Sequence, residues 1–157
     1  MSRVWRKTGN IAFWLSYPLL QVYLRIGWRT RVVVVVGTDI LLVKGWLGSN
    51  QWQLPGGGAH RGEPHVEAAC RELKEETGIT VTPKALKLLY QDRSSHKGLS
   101  FRYRCYGLRL DTRPIVKKKA FEIVETAWLP LQMVTKENAT QETCQATRAW
   151  LKQSDLL

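Results

Sequence analysis

The sequence predicts an α/β layered domain built on a mixed β-sheet, and three observations carry that reading. A run of β-branched residues, Arg31 to Val36, stops at Gly37-Thr38-Asp39 and reads as a buried strand ending in a turn. Further strand-like segments alternate with two helical patterns, Pro64 to Thr77 and roughly Ala139 to Lys152. The first of these helices has both ends marked: Pro64 sits where a missing donor costs nothing, and Gly78 supplies a left-handed stop. Strands interleaved with helices give layers, with the helices covering a sheet.

With 157 residues, the chain has the length of one ordinary domain and can bury a core without metal or disulfide staples. Hydrophobic residues at 44% and charged residues at 24% exclude a disordered or a membrane-spanning composition. Residues 1–29 read as a basic, apolar helical extension ahead of the main domain at 30–157. Ile11 to Trp28 resembles neither a span nor a signal peptide. Pro18, Gln21 and Arg25 interrupt a run shorter than the roughly 20 apolar residues a span needs, and no small-residue cleavage site follows Leu20.

Gln21, Arg25 and Arg29 recur at i+4, so a helix here shows one polar stripe and is otherwise apolar. Such a helix needs cover. Three sources are open: packing on this domain, a homodimer contact, or peripheral membrane contact through residues 11–28 with Trp14, Tyr17 and Trp28 at headgroup depth.

After the valine strand, Ile40 to Lys44 is expected as the second arm of a hairpin, then a loop at Gly45 to Asn50 and a short strand at Trp52 to Leu54. Leu86 to Tyr90, Leu99 to Leu110 and Glu122 to Leu129 read as later strands. The basic excess, 24 against 13 acids for a net +11, attracts polyanions such as nucleotides, nucleic acid or anionic lipid. Three widely spaced cysteines, Cys70, Cys105 and Cys144, cannot all pair and fit a reducing cytoplasm.

The chemistry concentrates on the first helix. Val66, Ala69 or Cys70, Leu73 and Thr77 form a buried stripe, and Glu72, Glu75 and Glu76 gather on the opposite side. Like charges at i,i+4 cost an isolated helix roughly 0.2–0.5 kcal/mol, so a cation is expected there. Arg71 can pair with Glu67 and Glu75 but cannot also neutralise Glu72 and Glu76. Clustered hard oxygens suit Mg²⁺, which binds through a few carboxylates plus substrate phosphate. Ahead of the helix, Leu54-Pro55-Gly56-Gly57-Gly58 lets backbone approach metal and phosphate without an intervening side chain.

These residues resemble the Nudix box, G-x5-E-x7-R-E-U-x-E-E-x-G-U with U aliphatic. Gly57, Glu63, Arg71, Glu72, Leu73, Glu75, Glu76, Gly78 and Ile79 fill every fixed position. Average residue usage would produce that on the order of once in a billion starting points, which rules out coincidence. Trp52, Leu54, Pro55 and Gly56 before the box are also similar to the family, whereas residues 1–30 look like an addition to it.

The resemblance implies an α/β/α sandwich and Mg²⁺-dependent, or Mn²⁺-dependent, hydrolysis of a nucleoside diphosphate linked to another group. It implies metal ligands at Glu72, Glu75 and Glu76 with the Gly57 carbonyl as an additional one, and Arg71 and Glu63 as a supporting ion pair. The general base is expected among Glu72, Glu125 and Glu122, in that order. Glu125 is similar in placement to a downstream metal-binding glutamate of several members. Substrate contacts are expected at Gly57 and Gly58, and Arg102 and Arg104, with Phe101, Tyr103 and Trp46, can form a wall for base and phosphate. The proline typical of ADP-ribose hydrolases is missing between Pro83 and Pro114. Two readings of the substrate therefore stay open: a free nucleotide, or an RNA 5′ end bound by a basic surface.

Overall fold

The computed structural model describes residues 27–46, 50–96, 99–117 and 123–154. Five strands, β1 (Trp28–Val36), β2 (Asp39–Gly45), β3 (Lys87–His96), β4 (Leu99–Leu110) and β5 (Ile123–Pro130), form one sheet in the order β3-β4-β1-β2-β5. Strand β1 runs parallel to β4, and the other pairs are antiparallel, so the sheet is mixed as expected. Among the described residues two helices, α1 (His65–Thr77) and α2 (Gln141–Ser154), cover opposite faces.

The valine run explains the layering. Val32, Val33, Val34 and Val35 are all fully buried, because β1 is central and both of its faces are covered. Alternation sorts them. Val32 and Val34 pack with Leu41, Tyr106 and Leu108 under Ala69 and Leu73 of α1, while Val33 and Val35 pack with Ile40, Leu42, Tyr103 and Cys105 under Ala146 and Trp150 of α2.

Between β1 and β2 the sheet opens. The two strands pair only at Val35↔Ile40 and Val36↔Asp39, and the glycine loop fills the gap. Thr30 N–H donates to Gly57 O at 2.7 Å and Val32 N–H to Pro55 O at 2.9 Å. On the other side, Gln53 exchanges two 2.9 Å bonds with Val43.

Several boundaries differ from expectation. β1 starts at Trp28, so Trp28 and Arg29 belong to a strand rather than to the end of a helix; the parallel partner β4 recruits Trp28, Arg29 and Thr30 through Arg102, Tyr103 and Arg104. Trp52 to Leu54 makes isolated bridges at Trp52 and Gln53 rather than a strand. β3 extends to His96, beyond Tyr90, because β4 is long enough to pair with it throughout. The expected helix at residues 11–26 and the expected role of Glu122 lie outside the described residues. Among the described residues no helix is long and apolar enough to cross a membrane.

Leu73 is fully buried and joins α1 to the sheet. Leu73→Ala is expected to lower stability by about 2–4 kcal/mol in urea unfolding, and Leu73→Met by less than about 1.5 kcal/mol; equal effects of the two would show that this contact does not anchor the helix.

Candidate active site

Helix α1 presents its carboxylates to the glycine loop because its other side is committed to the sheet. Its stop is the expected one: Gly78 has φ +77 and donates its N–H to Lys74 O at 2.8 Å. Glu76 crosses to the loop, where its Oε2 accepts the Gly56 N–H at 2.7 Å. Burial is the main cause that pushes its carboxyl up to about 7; that bond and the Arg31 charge pull the other way.

Gly56 can be nothing larger. Its φ is +140, and a Cβ there would stand 2.2 Å from Thr30 O. Gly57 is equally confined, since a Cβ would lie 2.4 Å from Glu72 Cδ. The glycines therefore bring backbone into direct contact with two of the three expected ligands.

Arg71 ties the assembly together. Its Nε donates to Glu63 Oε1 at 2.9 Å, Nη1 to Glu72 Oε1 at 2.9 Å, and Nη2 to Gly58 O at 2.8 Å and Glu63 Oε2 at 3.0 Å. Glu75 Oε1 lies 3.5 Å from Nη1. The bond from Arg71 holds the Glu63 carboxyl down at about 2, and the Arg71 guanidinium is raised in turn.

The set of hard oxygens, three carboxylates beside the Gly57 carbonyl, fits a divalent cation of the Mg²⁺ kind. Among the described residues no three such side chains converge tightly enough to grip an ion. Each carboxylate is drawn to a protein donor instead: Glu72 and Glu75 to Arg71, and Glu76 to Gly56. The Gly57 carbonyl already accepts from Thr30 N–H and keeps one lone pair for another partner.

Glu76 also borders a cleft of about 170 Å³, lined by Arg29, Arg31, Trp46, Gln53 and Gly56 among others. Arg31 is fully engaged, donating to Gly56 O at 2.8 Å and facing Glu142 at 3.7 Å. Arg29 differs. Its Nε is buried without a hydrogen-bond partner, and its Cζ lies 5.6 Å from the Phe101 ring centroid. Burial first, then the neighbouring Arg31, lowers its pKa to about 10, so it stays charged at neutral pH.

Of the residues expected to touch substrate, Gly57, Gly58 and Trp46 lie at the site, whereas Phe101 and Tyr103 belong to the core under α2. Arg102 and Arg104 stack on Trp28, on the α1 face, and are not among the residues lining the cleft. Glu125, half exposed, pairs with Lys44 at 2.9 Å, and that ammonium sits 4.0 Å from the Trp52 ring centroid. Arg29, Arg31 and Gln53 were not singled out by their chemistry in the sequence. The signal for the arginines was their spacing of two just ahead of the valine run, which puts both on one face of a strand.

Glu63 is acidified when folded, so its contribution is present above the ordinary value of 4.5 and disappears as pH falls towards 2. Water reaches part of the pair, which trims the effect. Glu63→Gln should destabilise the protein by about 1–2 kcal/mol near pH 6 in denaturant titrations, with the difference vanishing near pH 2; a pH-independent difference would assign the loss to packing.

Comparison with known proteins agrees with this arrangement. The family described as NUDIX domain matches residues 28–149. The RNA pyrophosphohydrolase of Histophilus somni (strain 2336) is 34% identical over 114 residues, 71% of this chain and 54% of that protein. That of Acinetobacter baylyi is 33% identical over 107 residues, 64% of this chain and 61% of that protein. The chain spans about half the length of the curated relatives it matches. A Caenorhabditis elegans Ap4A hydrolase binary complex has a TM-score of 0.71 at 20% identity, covering 84% of this chain and 100% of that one. MutT NUDIX hydrolase from Burkholderia pseudomallei has a TM-score of 0.68 at 24% identity, covering 78% and 96%. These two likenesses establish the α/β/α fold. A family match reaching from the first residue of β1 into α2, with every fixed position of the box filled, places this chain in the Nudix family.

Proposed function

We propose that the chain hydrolyses a phosphoanhydride bond in a nucleoside diphosphate derivative, a nucleoside triphosphate, nucleotide sugar or dinucleotide, with Mg²⁺ as cofactor and Mn²⁺ as its substitute. One observation carries the reading: Glu76, from the helix of carboxylates, and Arg29, whose buried guanidinium nitrogen has no protein partner, border the same small cleft. One side suits a cation and the other an anion, which is what a metal-bound pyrophosphate requires.

Glu72, Glu75 and Glu76, with the Gly57 carbonyl, would hold the cation. When bound, Mg²⁺ neutralises pyrophosphate oxygens and lowers the pKa of the attacking water. Arg29 offers its donors to the anionic end of the substrate, and Arg31 keeps Gly56 in place. Arg71 occupies Oε1 of Glu72, which leaves Oε2 as the atom to take the proton from water and keeps Glu72 first among the candidate bases. Glu125 comes after it, because Lys44 already engages its carboxylate. Trp46 and Gln53 supply an aromatic ring and an amide suited to a nucleobase.

The alternative substrate is an RNA 5′ end. The names of the curated relatives and the net charge of +11 favour it. A reducing compartment, the cytoplasm, suits Cys70, Cys105 and Cys144, all of which are free thiols.

Product release from a panel of nucleotides and 5′-triphosphorylated RNA tests the reaction. Glu72→Gln and Glu76→Gln should each lower kcat/KM by about two orders of magnitude, about 3 kcal/mol of transition-state stabilisation. Removing divalent ions with a chelator should abolish turnover. Arg29→Ala should raise KM about tenfold, leaving unfolding unchanged, whereas Arg31→Ala should lower stability. Turnover that persists in a Glu75→Gln, Glu76→Gln double variant would falsify the assignment.

A further inference from the structure

The α1 face of the sheet holds a second concentration of cationic side chains, outside the cleft. Pairing of β3 with β4 sets Arg93 directly opposite Arg102 and Gln91 opposite Arg104, and pairing of β4 with β1 sets Trp28 beside Arg102. Residues opposite one another across strands project to one face. Three guanidiniums therefore share a patch with Trp28. Cζ of Arg102 and Cζ of Arg104 stand 5.6 and 5.1 Å from the Trp28 ring centroid, and His65, the first residue of α1, meets that ring edge-on at 5.2 Å.

Packing alone does not explain the cluster. Like charges directly opposite across strands are destabilising, yet among the described residues none of Arg93, Arg102 and Arg104 makes an ion pair. Arg104 Nε and His65 Nε2 are buried without hydrogen-bond partners. Glu67 follows His65 by two residues, so it points away around the helix. A structural cluster of this kind is expected to recruit an acid, and here none is present among the described residues.

The patch also adjoins the site. Ala59 N–H donates to Trp28 O at 2.9 Å and Gly58 bridges Arg29, so Trp28 is fixed to the loop that carries Gly57. Arg29, the next residue of β1, turns to the other face and enters the cleft. Among the described residues, only the start of β1 separates the cleft from these arginines.

We propose that this surface binds the backbone of a single-stranded nucleic acid whose 5′ end occupies the cleft, with Arg93, Arg102 and Arg104 neutralising its phosphates and Trp28 holding two of the guanidiniums in place. The proposal rests on the reading of the cleft given above and selects its polynucleotide alternative. A single strand suits a cleft that admits only one end.

Anisotropy with a ten-nucleotide 5′-hydroxyl oligoribonucleotide, which lacks an anhydride and cannot be turned over, tests it on the full chain. Arg93→Gln, Arg102→Gln and Arg104→Gln together should weaken binding at least about tenfold at low salt. They should also reduce the slope of log K against log salt by about 2, the change for three phosphates on a single strand. Lysine at the same three positions should retain most of both. Unchanged affinity and slope in the folded glutamine variant overturn the proposal, as does an equal loss in the lysine variant. Wild-type binding to phosphatidylserine vesicles without binding to the oligonucleotide overturns it as well. Product release from the nucleotide panel and from 5′-triphosphorylated RNA is scored separately. Failure there with oligonucleotide binding intact overturns the proposed reaction alone, and the reverse overturns this surface alone.

Discussion

The Gly56 peptide unit is the constraint on which the site depends. Its N–H is held by Glu76 from the helix and its carbonyl by Arg31 from the strand, while its α-carbon presses on Thr30 O so closely that no side chain fits. One peptide thus fixes three elements at once. The helix cannot slide along the sheet without breaking the bond to Glu76. The loop cannot lift without stripping two buried partners of their hydrogen bonds, at about 1–3 kcal/mol for each group left unsatisfied.

That constraint explains how an acidic helix is tolerated beside a basic strand. Three carboxylates within five residues repel each other by only a few tenths of a kcal/mol per exposed pair, but Glu76 is taken out of water, where the penalty grows. The protein answers from two directions. Arg71 joins Glu63, Glu72 and the Gly58 carbonyl into one brace, and Arg31 and Arg29 bring positive charge through the gap between β1 and β2. The carboxylates are oriented by partners that cannot move independently of the backbone, the condition under which ligands stay aligned.

The sequence made this helix and its loop legible because their requirements are local. Pro64, Gly78 and the glycine run state a start, a stop and a close approach within 25 residues; the structure places the stop and the close approach as read and sets Pro64 one position earlier, as the extended N-cap before His65. The hairpin from β1 to β2 was legible for the same reason. Non-local pairing was not. The parallel match of β1 with β4 draws Trp28, Arg29 and Thr30 into the sheet, and nothing near Trp28 announces a partner some 74 residues away. Arg29 consequently read as part of a helical stripe, although strand geometry sends it into the cleft. Glu125 read as a candidate base from its distance to Trp128-Leu129-Pro130, and its pairing with Lys44 comes from cross-strand register, a relation that no spacing within β5 encodes.

Arg102 and Arg104 show how the same physics separates two tasks. Mixed aromatic and basic residues along β4 suggested one wall for base and phosphate, yet alternation along a strand must divide them. Phe101 and Tyr103 turn under α2 into the core, and Arg102 and Arg104 turn to the α1 face beside Trp28. The parallel neighbour β1 divides in the same register, sending Arg29 and Arg31 to the cleft and Trp28 to the patch. Two adjacent strands thereby carry cations on both faces at one end of the sheet, and the glycine loop that shapes the site joins the two surfaces. The positive charge on both faces is consequently fixed to the same backbone that shapes the cleft.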